Sequence, residues 1–591
     1  MRKLALILAC VFLLPVCLST VSCKQDKTLT LNVYNWEEYI DESILDEFEN
    51  YYYETHNKKV IVNYSTYGTC ENMYNELKLS QDKNTKNYKY DLVCPSDYMI
   101  QRMIEEDMCE KYDWSKMPNY TTYTSKFIKD LFDKPLDAVS PINKTLTQYK
   151  LSDYAACYMW GTMGFVYNPE EVAESDMQTW SGIKNPKYKN KTSIKDSPRD
   201  SYVLAMGIAY QNELNSFASQ YKNGTIDLTT YQKSITDLFN KIDNDTITKT
   251  SEHLREIRSN LYSFEVDSGK IDMATGKLWI NFAWSGDAVY ILDEAESMSG
   301  TELKYSVPKE GSNIFFDGWV MPKGANKELA QEFLNYMFEP ENAVLNMEEI
   351  GYTVSSAGIA LFENAIDWYG ATSLAPIDKT DYEKVIAAQE KLANEKTLTP
   401  EEEEDAYRVV GFVDGKYWEE LYFQDIIDKV IDPDGFGFNI TSGDAVDISS
   451  FVYDDEENIV GIETQHTPIY IRDLTYFFGE DDQDIIDAYG APIIYCDTLD
   501  RQFSTQYPDE EIVNRCTIMK HLTNTDLEEL NEMWSSVKIG YMPPIVMILI
   551  LLLIIAIVVL VIVFFKLAES GKFGYGKERK NLTLVSKEEI K

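Results

Sequence analysis

Histidine is scarce in this 591-residue chain: there are four, and none of His56, His253, His466 or His521 stands in a metal-ligand motif. Cysteine is nearly as sparse, with nine in all, three of them (Cys10, Cys17, Cys23) close to the N-terminus. The other six, at 70, 94, 109, 157, 496 and 516, lack the CxxC or Cys/His spacing of a zinc site, and they read mainly as small buried apolar residues. No nucleophile elbow and no P-loop is present. The adjacent carboxylates Glu37 and Glu38 point apart on an extended chain and cannot flank one bond, which weighs against a carboxylate-dependent hydrolase. These absences predict a protein that is not an enzyme and carries no metal or cofactor. Basic residues are also in deficit, 55 against 97 acidic, for a formal charge of −42. Phosphate binding needs clustered Lys and Arg, so nucleic acid is excluded as a partner. An acidic chain attracts cations, although such a surface is most often simply solvated. The acidic loop "DPDGFG" (432 to 437) lacks the remaining ligands of a calcium loop.

What is present begins at the two ends. Arg2 and Lys3 precede an apolar stretch to about Leu18 and then "TVSC" at 20 to 23, the pattern of a secretory signal with a lipoprotein cleavage box. Cys23 is the lipidation candidate, with Thr20 where such boxes usually carry Leu. At the other end, Ile545 to Phe565 is an uncharged aliphatic run of 21 residues, long enough to cross a hydrocarbon core of ~30 Å as a helix. Lys566, Lys572, Lys577, Arg579 and Lys580 follow it, so the positive-inside bias puts the tail 566–591 in the cytoplasm and the body outside the cell.

Between the ends, from 29 to about 360, short apolar strands alternate with helical segments. "KKVIVNYSTYG" reads as a strand entering a turn, and "CENMYNELKLS" has helical spacing. "YDLVCPSDYMIQRMIEEDM" reads as a buried strand ending at Pro95 and then a helix. "LWINFAWSGDAVYIL" reads as strand, turn and helix with Trp284 at the turn, and "NIFFDGWVMP" as the end of a strand pair at Asp317. Two amphipathic helices interrupted near Pro340 lead to Tyr352. The alternation predicts an α/β architecture with ligands beyond the carboxyl ends of strands. From 361 to 504 the composition shifts to acidic clusters among Tyr and Phe with no visible period, an insertion that faces either a partner or solvent.

Aromatic residues gather at the predicted strand ends: Trp36, Tyr39, Tyr98, Trp160, Trp284, Phe315, Trp319 and Tyr352. Beside them stand Glu37, Glu38, Asp97, Asp196, Asp200, Asp287 and Asp317. A single aromatic is more often core than ligand wall, but the repeated pairing with carboxylates suits a flexible aliphatic chain bearing ammonium groups. Carboxylates hydrogen-bond the ammonium ends, and aromatic faces add ~0.5 to 2 kcal/mol each. Four buried methylenes contribute ~3 kcal/mol more at ~0.8 each.

The chain from about 29 to 357, and again from 505 to 538, resembles the bacterial spermidine/putrescine-binding proteins, extracytoplasmic receptors of polyamine ABC importers. The resemblance rests on "YNWEEY", "YSTYGTCENMYNELK", "YDLVCPSDYMIQRM", "WGTMGFVYN", "DSPRDSYVLAMG", "AWSGDA", "FFDGWVMP" and "IGYTVSS", in family order. It implies an α/β, two-lobed type II periplasmic-binding-protein fold with a hinge, carried here with a C-terminal transmembrane helix. The lobes are expected at 29–157 with 317–360, and at 158–316 with 505–538. The implied ligand-binding set is Trp36, Glu37, Tyr39, Ser96, Tyr98, Asp200, Trp284, Phe315, Asp317 and Tyr352. Asp200 stands where the family has a Glu on an ammonium, and Phe315 where some members have Trp. Three departures bear on ligand length: Ser197 replaces a second Asp, Glu37 a small hydroxyl residue, and Met519 falls near a usual Gln. The implied partners are putrescine or spermidine, an ABC permease with its ATPase, and the membrane. The alternative is another small cationic ligand or a metal chelate on the same fold.

Overall fold

The computed structural model describes residues 28–139, 146–369, 372–393, 396–406, 408, 410–413, 416–421, 446–453, 459–467, 470–496, 500–539 and 544–569. The chain divides into two compact units between Glu528 and Glu529. The first is built on an 11-stranded sheet, in which the short strands Lys304–Ser306 and Cys516–Thr517 lie at the side of the main set β1 (Leu29–Trp36), β2 (Val60–Tyr67), β3 (Leu92–Val93), β4 (Ala155–Tyr167), β5 (Thr192–Lys195), β6 (Leu261–Glu265), β7 (Ile280–Trp284), β8 (Ser312–Val320) and β9 (Thr353–Val354). Their order along the sheet is β2-β1-β3-β8-β4-β7-β5-β6, with β9 beside β4.

Two long strands explain the two lobes. β4 is buried along all 13 residues, and β8 along all nine. The near half of β4 pairs antiparallel with β8 and β9, while its far half, Met163 to Tyr167, pairs with β7. The first lobe is thus the parallel set β1, β2 and β3 with the near half of the β4/β8 ribbon. The second is β5, β6 and β7 with the far half, parallel among themselves. Among the described residues the ribbon shared by both halves is the strand continuity between them, as a hinge requires. Helices cover the sheet faces, which is why the parallel strands can be apolar throughout. Leu31 and Val33 are buried against Phe48 of the helix Ser43–His56 in the first lobe; Ala283 and Val166 pack with Ile291 and Leu292 of the helix Ser285–Ser299 in the second.

Several sequence expectations are sharpened here. The strand before Pro95 is only two residues long, since Pro95 has no N–H to continue the ladder, although its carbonyl accepts from Gly318 N (3.1 Å). Helix Cys70–Ser80 starts where Thr69 caps Asn72 N at 3.1 Å. Asp317 does not end its strand: β8 runs through it, with a bulge between Asp317 and Gly318. Trp284 is not in a turn but is the last residue of β7 and the cap position of the following helix. Trp160 and Trp319 belong to the core, Trp160 stacked on Phe477 at 5.5 Å and Trp319 packed on Tyr158 at 5.4 Å. Cys70, Cys94, Cys109, Cys157 and Cys516 are free and buried, as small apolar residues are.

The acidic segment has a regular structure that its composition hid. Five strands pair in the order Val410–Val413, Lys416–Leu421, Thr372–Ile377, Ile493–Cys496 and Tyr470–Asp473. Val446–Tyr453 and Ile459–Thr467 form a separate hairpin. Arg408 ties this module together, bridging Asp381 (2.7 Å), Asp405 (3.2 Å) and Glu419 (2.5 Å).

The second unit contains the helix Pro544–Glu569. Its described side chains start only at Leu552, and among the described residues no helix is long and apolar enough to cross a membrane, so the expected span at 545–565 has no support there. The signal segment with Cys23, and the tail beyond Glu569, lie outside the described residues.

Candidate functional site

The parallel pair β1 and β3 of the first lobe ends at Trp36 and Val93, and the parallel pair β5 and β7 of the second, running in the opposite direction through the antiparallel β8 and β4, ends at Lys195 and Trp284. Each strand is followed by a loop or helix start that turns a polar side chain inward.

The first lobe contributes Tyr39. After Trp36 the chain reverses through Glu38, in the left-handed region at φ 51°, and Asn35 Nδ2 closes the turn by donating to the Tyr39 carbonyl at 2.8 Å. The Tyr39 ring is thereby buried, and its hydroxyl donates to Asp317 Oδ2 at 2.8 Å. Ser96, just before the helix Asp97–Glu105, donates to Asp317 Oδ1 at 2.7 Å. Both Asp317 oxygens therefore accept from neutral hydroxyls, and no cation of the described residues pairs with this carboxylate. Burial pushes its pKa up to about 6, against the two hydrogen bonds, which hold it down. Aromatic rings surround it: Tyr352 lies edge-on to Tyr39 at 5.4 Å and to Phe315 at 6.2 Å. Trp36 leans on Tyr67 at 4.8 Å, and its buried indole N–H has no partner among the described residues.

A second group of carboxylates sits where the helices Asp97–Glu105 and Pro198–Ala209 begin. Ser197 caps the latter, accepting from Asp200 N at 3.3 Å, and Pro198 follows at the first helical position. The serine expected to shorten the acid set is thus an ordinary helix cap. Asp200 is buried, and burial pushes its pKa up to about 6 while Ser197, Lys195 and Arg199 pull it down. Asp97 is buried too; its Oδ1 takes Tyr98 N at 2.5 Å, and its Oδ2 is buried without a partner. Burial drives its pKa well above the usual range, with Arg199 opposing and Asp317 and Asp200 adding to the rise. The Arg199 guanidinium stands 5.0 Å from the Tyr98 ring and donates to the Lys520 carbonyl at 2.7 Å. Tyr98 donates to the exposed Glu71 at 3.2 Å.

The second lobe supplies Trp284 and Asp287, and Tyr352, just before β9 on the first-lobe side of the ribbon, reaches Asp287. Tyr352 donates to Asp287 Oδ1 at 3.0 Å, and its ring lies so close to Gly286 that a Cβ there would stand 2.2 Å from Cδ2. The unforeseen member is Lys195, the last residue of β5. Its ammonium, almost fully buried, pairs with Asp287 (3.0 Å) and Glu265 (3.3 Å), donates to the Val266 carbonyl (2.7 Å) and lies 4.2 Å from the Trp284 ring centre. Burial alone would lower its pKa, but the two carboxylates outweigh that and raise it.

Of the ten expected residues, the structure draws Tyr39, Ser96, Phe315, Asp317 and Tyr352 into one linked set. Trp36 stands beside it at the end of β1, Tyr98 and Asp200 belong to the helix-start group, and Trp284 to the Lys195 end. Glu37 is not brought in: it is exposed in the turn before Tyr39 and has no hydrogen-bond or ionic partner among the described residues. Met519 is buried, and its carbonyl accepts from Gln101 at 2.8 Å. Among the described residues no His, Cys, Asp and Glu cluster is arranged to hold a metal ion.

A family described as bacterial extracellular solute-binding protein matches residues 44–369. A spermidine/putrescine-binding periplasmic protein of Escherichia coli (strain K12) is 29% identical over 328 residues, covering 55% of this chain and 78% of that relative. A putrescine-binding periplasmic protein of Pseudomonas aeruginosa (strain UCBPP-PA14) is 29% identical over 324 residues, covering 53% of this chain and 74% of the relative. A solved structure described as a spermidine/putrescine ABC transporter from Listeria monocytogenes is 27% identical over 57% of this chain and 85% of that one, with a TM-score of 0.42, too loose a superposition to argue from.

Proposed function

The chain belongs to the bacterial extracellular solute-binding protein family, and on that premise we propose that it captures a polyamine, putrescine or spermidine, between its lobes and delivers it to an ABC permease. It is a receptor, not an enzyme. The observation that carries the ligand class is Asp317: a buried carboxylate, walled by aromatic rings and hydrogen-bonded by neutral hydroxyls alone. A buried charge of this kind is costly until an opposite charge pairs with it. A primary ammonium supplies that charge and gains a charge-assisted hydrogen bond. The rings of Tyr39, Tyr352, Phe315 and Trp36 suit the methylenes that follow. Asp97 and Asp200, at the other helix starts, offer a second ammonium its partner, and the relatives of Escherichia coli and Pseudomonas aeruginosa, named for binding spermidine and putrescine, agree with this chemistry.

We also propose that the binding unit is extracytoplasmic and tethered. The support is in the sequence: 21 uncharged residues from Ile545 to Phe565, then the basic cluster from Lys566 to Lys580. Lipidation at Cys23 would add a second anchor. Release of the intact full-length protein from membranes by alkaline carbonate would count against the tether.

Calorimetric titration of the full-length protein with putrescine and spermidine tests the ligand. Heat of binding at micromolar concentrations is expected with at least one; none with either would sink the polyamine reading.

A further inference from the structure

The Lys195 ammonium sits in surroundings of the kind proposed above for a ligand ammonium. Two carboxylates lie at 3.0 and 3.3 Å, a carbonyl at 2.7 Å and an indole face at 4.2 Å. In a cleft that takes alkylammonium groups, this end already holds one, tethered to the chain by its own four methylenes. Lys270 stands 3.8 Å from the other oxygen of Asp287, and Tyr352 donates to that oxygen. Two lysines therefore face two carboxylates, Asp287 and Glu265, and this end offers no net charge to a ligand.

The rest of the site differs. Arg199 acts on Asp97 and Asp200, Lys195 acts on Asp200 as well, and Asp317 meets hydroxyls. With Lys195 already matched against Asp287 and Glu265, three carboxylates against one guanidinium leave two formal negative charges. Glu71 adds charge only at the exposed rim, where solvent screens it. Two negative charges match a diamine. A triamine would have to bring its third ammonium against Lys195 or leave it unpaired, and like charges at such range repel.

We propose that Lys195 is a specificity-determining residue: its ammonium occupies the Trp284, Asp287 and Glu265 end as a built-in stand-in for a third amine, so the receptor takes a linear diamine in preference to a triamine. The proposal rests on the polyamine reading and deepens it. Lys195 lies in "TSIK", which otherwise reads as an unremarkable strand; the strand's end delivers its side chain into the site.

Titration of the full-length protein with putrescine and spermidine, before and after Lys195→Ala, tests it. Putrescine is expected to bind at least tenfold tighter than spermidine in the wild type. In Lys195→Ala that ratio is expected to fall at least tenfold, because a spermidine ammonium can take the vacated place. Spermidine binding as tightly as putrescine in the wild type, or a ratio unmoved by the substitution, overturns the proposal. Heat from neither ligand instead overturns the polyamine reading itself. Lys195→Ala strands two buried carboxylates and can fail to fold, so the Lys195→Met, Asp287→Asn double variant, which neutralises the pair on both sides, is measured beside it. There the ratio is expected to fall at least threefold, and an unmoved ratio again overturns the proposal.

Discussion

Tyr39 and Asp317, 278 positions apart in the chain, are joined by a hydrogen bond of 2.8 Å from the phenol to the carboxylate Oδ2. The contact links the turn after the first strand to the ribbon of β4 and β8 that joins the lobes, where Asp317 pairs with Met159. Burial and the negative charge of Asp317 both raise the Tyr39 pKa, which keeps the phenol a donor at any ordinary pH. Binding of a cation at Asp317 and movement of the lobes are therefore expected to be coupled.

Asp317→Asn removes the charge but keeps the shape. Polyamine affinity is expected to fall at least tenfold, about 1.4 kcal/mol, by calorimetry. Unchanged affinity would place the ammonium elsewhere.

The pH dependence has two opposite signs. Asp317 and Asp200 titrate at about 6 in the fold against 3.8 for the free side chain. Between ~4 and 6 the native state holds more protons than the unfolded one, so the contribution of these groups to stability falls as pH rises through that window. A ligand ammonium needs the ionised carboxylate, so affinity is expected to fall as pH is lowered through 6. Titrations and melts at pH 5 and 7.5 compare the two trends, and Asp317→Asn should flatten both.

Gly286→Ala puts a methyl group 2.2 Å from Tyr352 Cδ2. The ring must move, which breaks its 3.0 Å bond to Asp287 and disturbs its edge contact with Tyr39. A loss of affinity of about tenfold is expected, even though alanine is the better helix former. A variant that binds as wild type would show that Tyr352 is not a wall of the site.

Phe282, fully buried in β7, meets Trp180 at 5.4 Å and Phe165 at 6.2 Å. Phe282→Ala is expected to cost about 3 to 5 kcal/mol, read from denaturant midpoints. A loss under about 1 kcal/mol would mean that the second lobe unfolds separately from the probe used.

Arg408→Ala leaves Asp381, Asp405 and Glu419 facing one another. Because Asp405 and Glu419 are largely buried, a local destabilisation of roughly 3 kcal/mol is expected. Hydrogen exchange should rise within 372–421, while polyamine affinity stays within twofold.

Much of the site was legible in short local patterns. "NWEEY", "PSD" and "DSPRD" follow strands, and a polar cluster at a strand's carboxyl end marks a cleft in an α/β sheet. Asp317 is predicted as a strand end because Asp-Gly reads locally as a turn, and only pairing with β4 shows that Gly318 marks a bulge within a continuous strand. The pattern of "NWEEY" groups Glu37 with its neighbours, yet the left-handed turn at Glu38 leaves it exposed while Tyr39 is turned in. The strands of the acidic segment escaped notice because charged and aromatic residues masked their alternation.

The sequence by itself determined the α/β alternation, the acidic balance, the strand-end aromatics and the apolar run near the C-terminus, all of which depend on neighbours a few residues apart. Only the tertiary structure decided which carboxylates are free. Asp287 and Asp317 look alike in the sequence, each within three residues of a tryptophan. Asp287 is neutralised by Lys195, 92 positions earlier, while Asp317 meets only hydroxyls. The electrostatic state of a buried group is set by charges within a few ångströms, and in a folded chain those come from anywhere in the sequence.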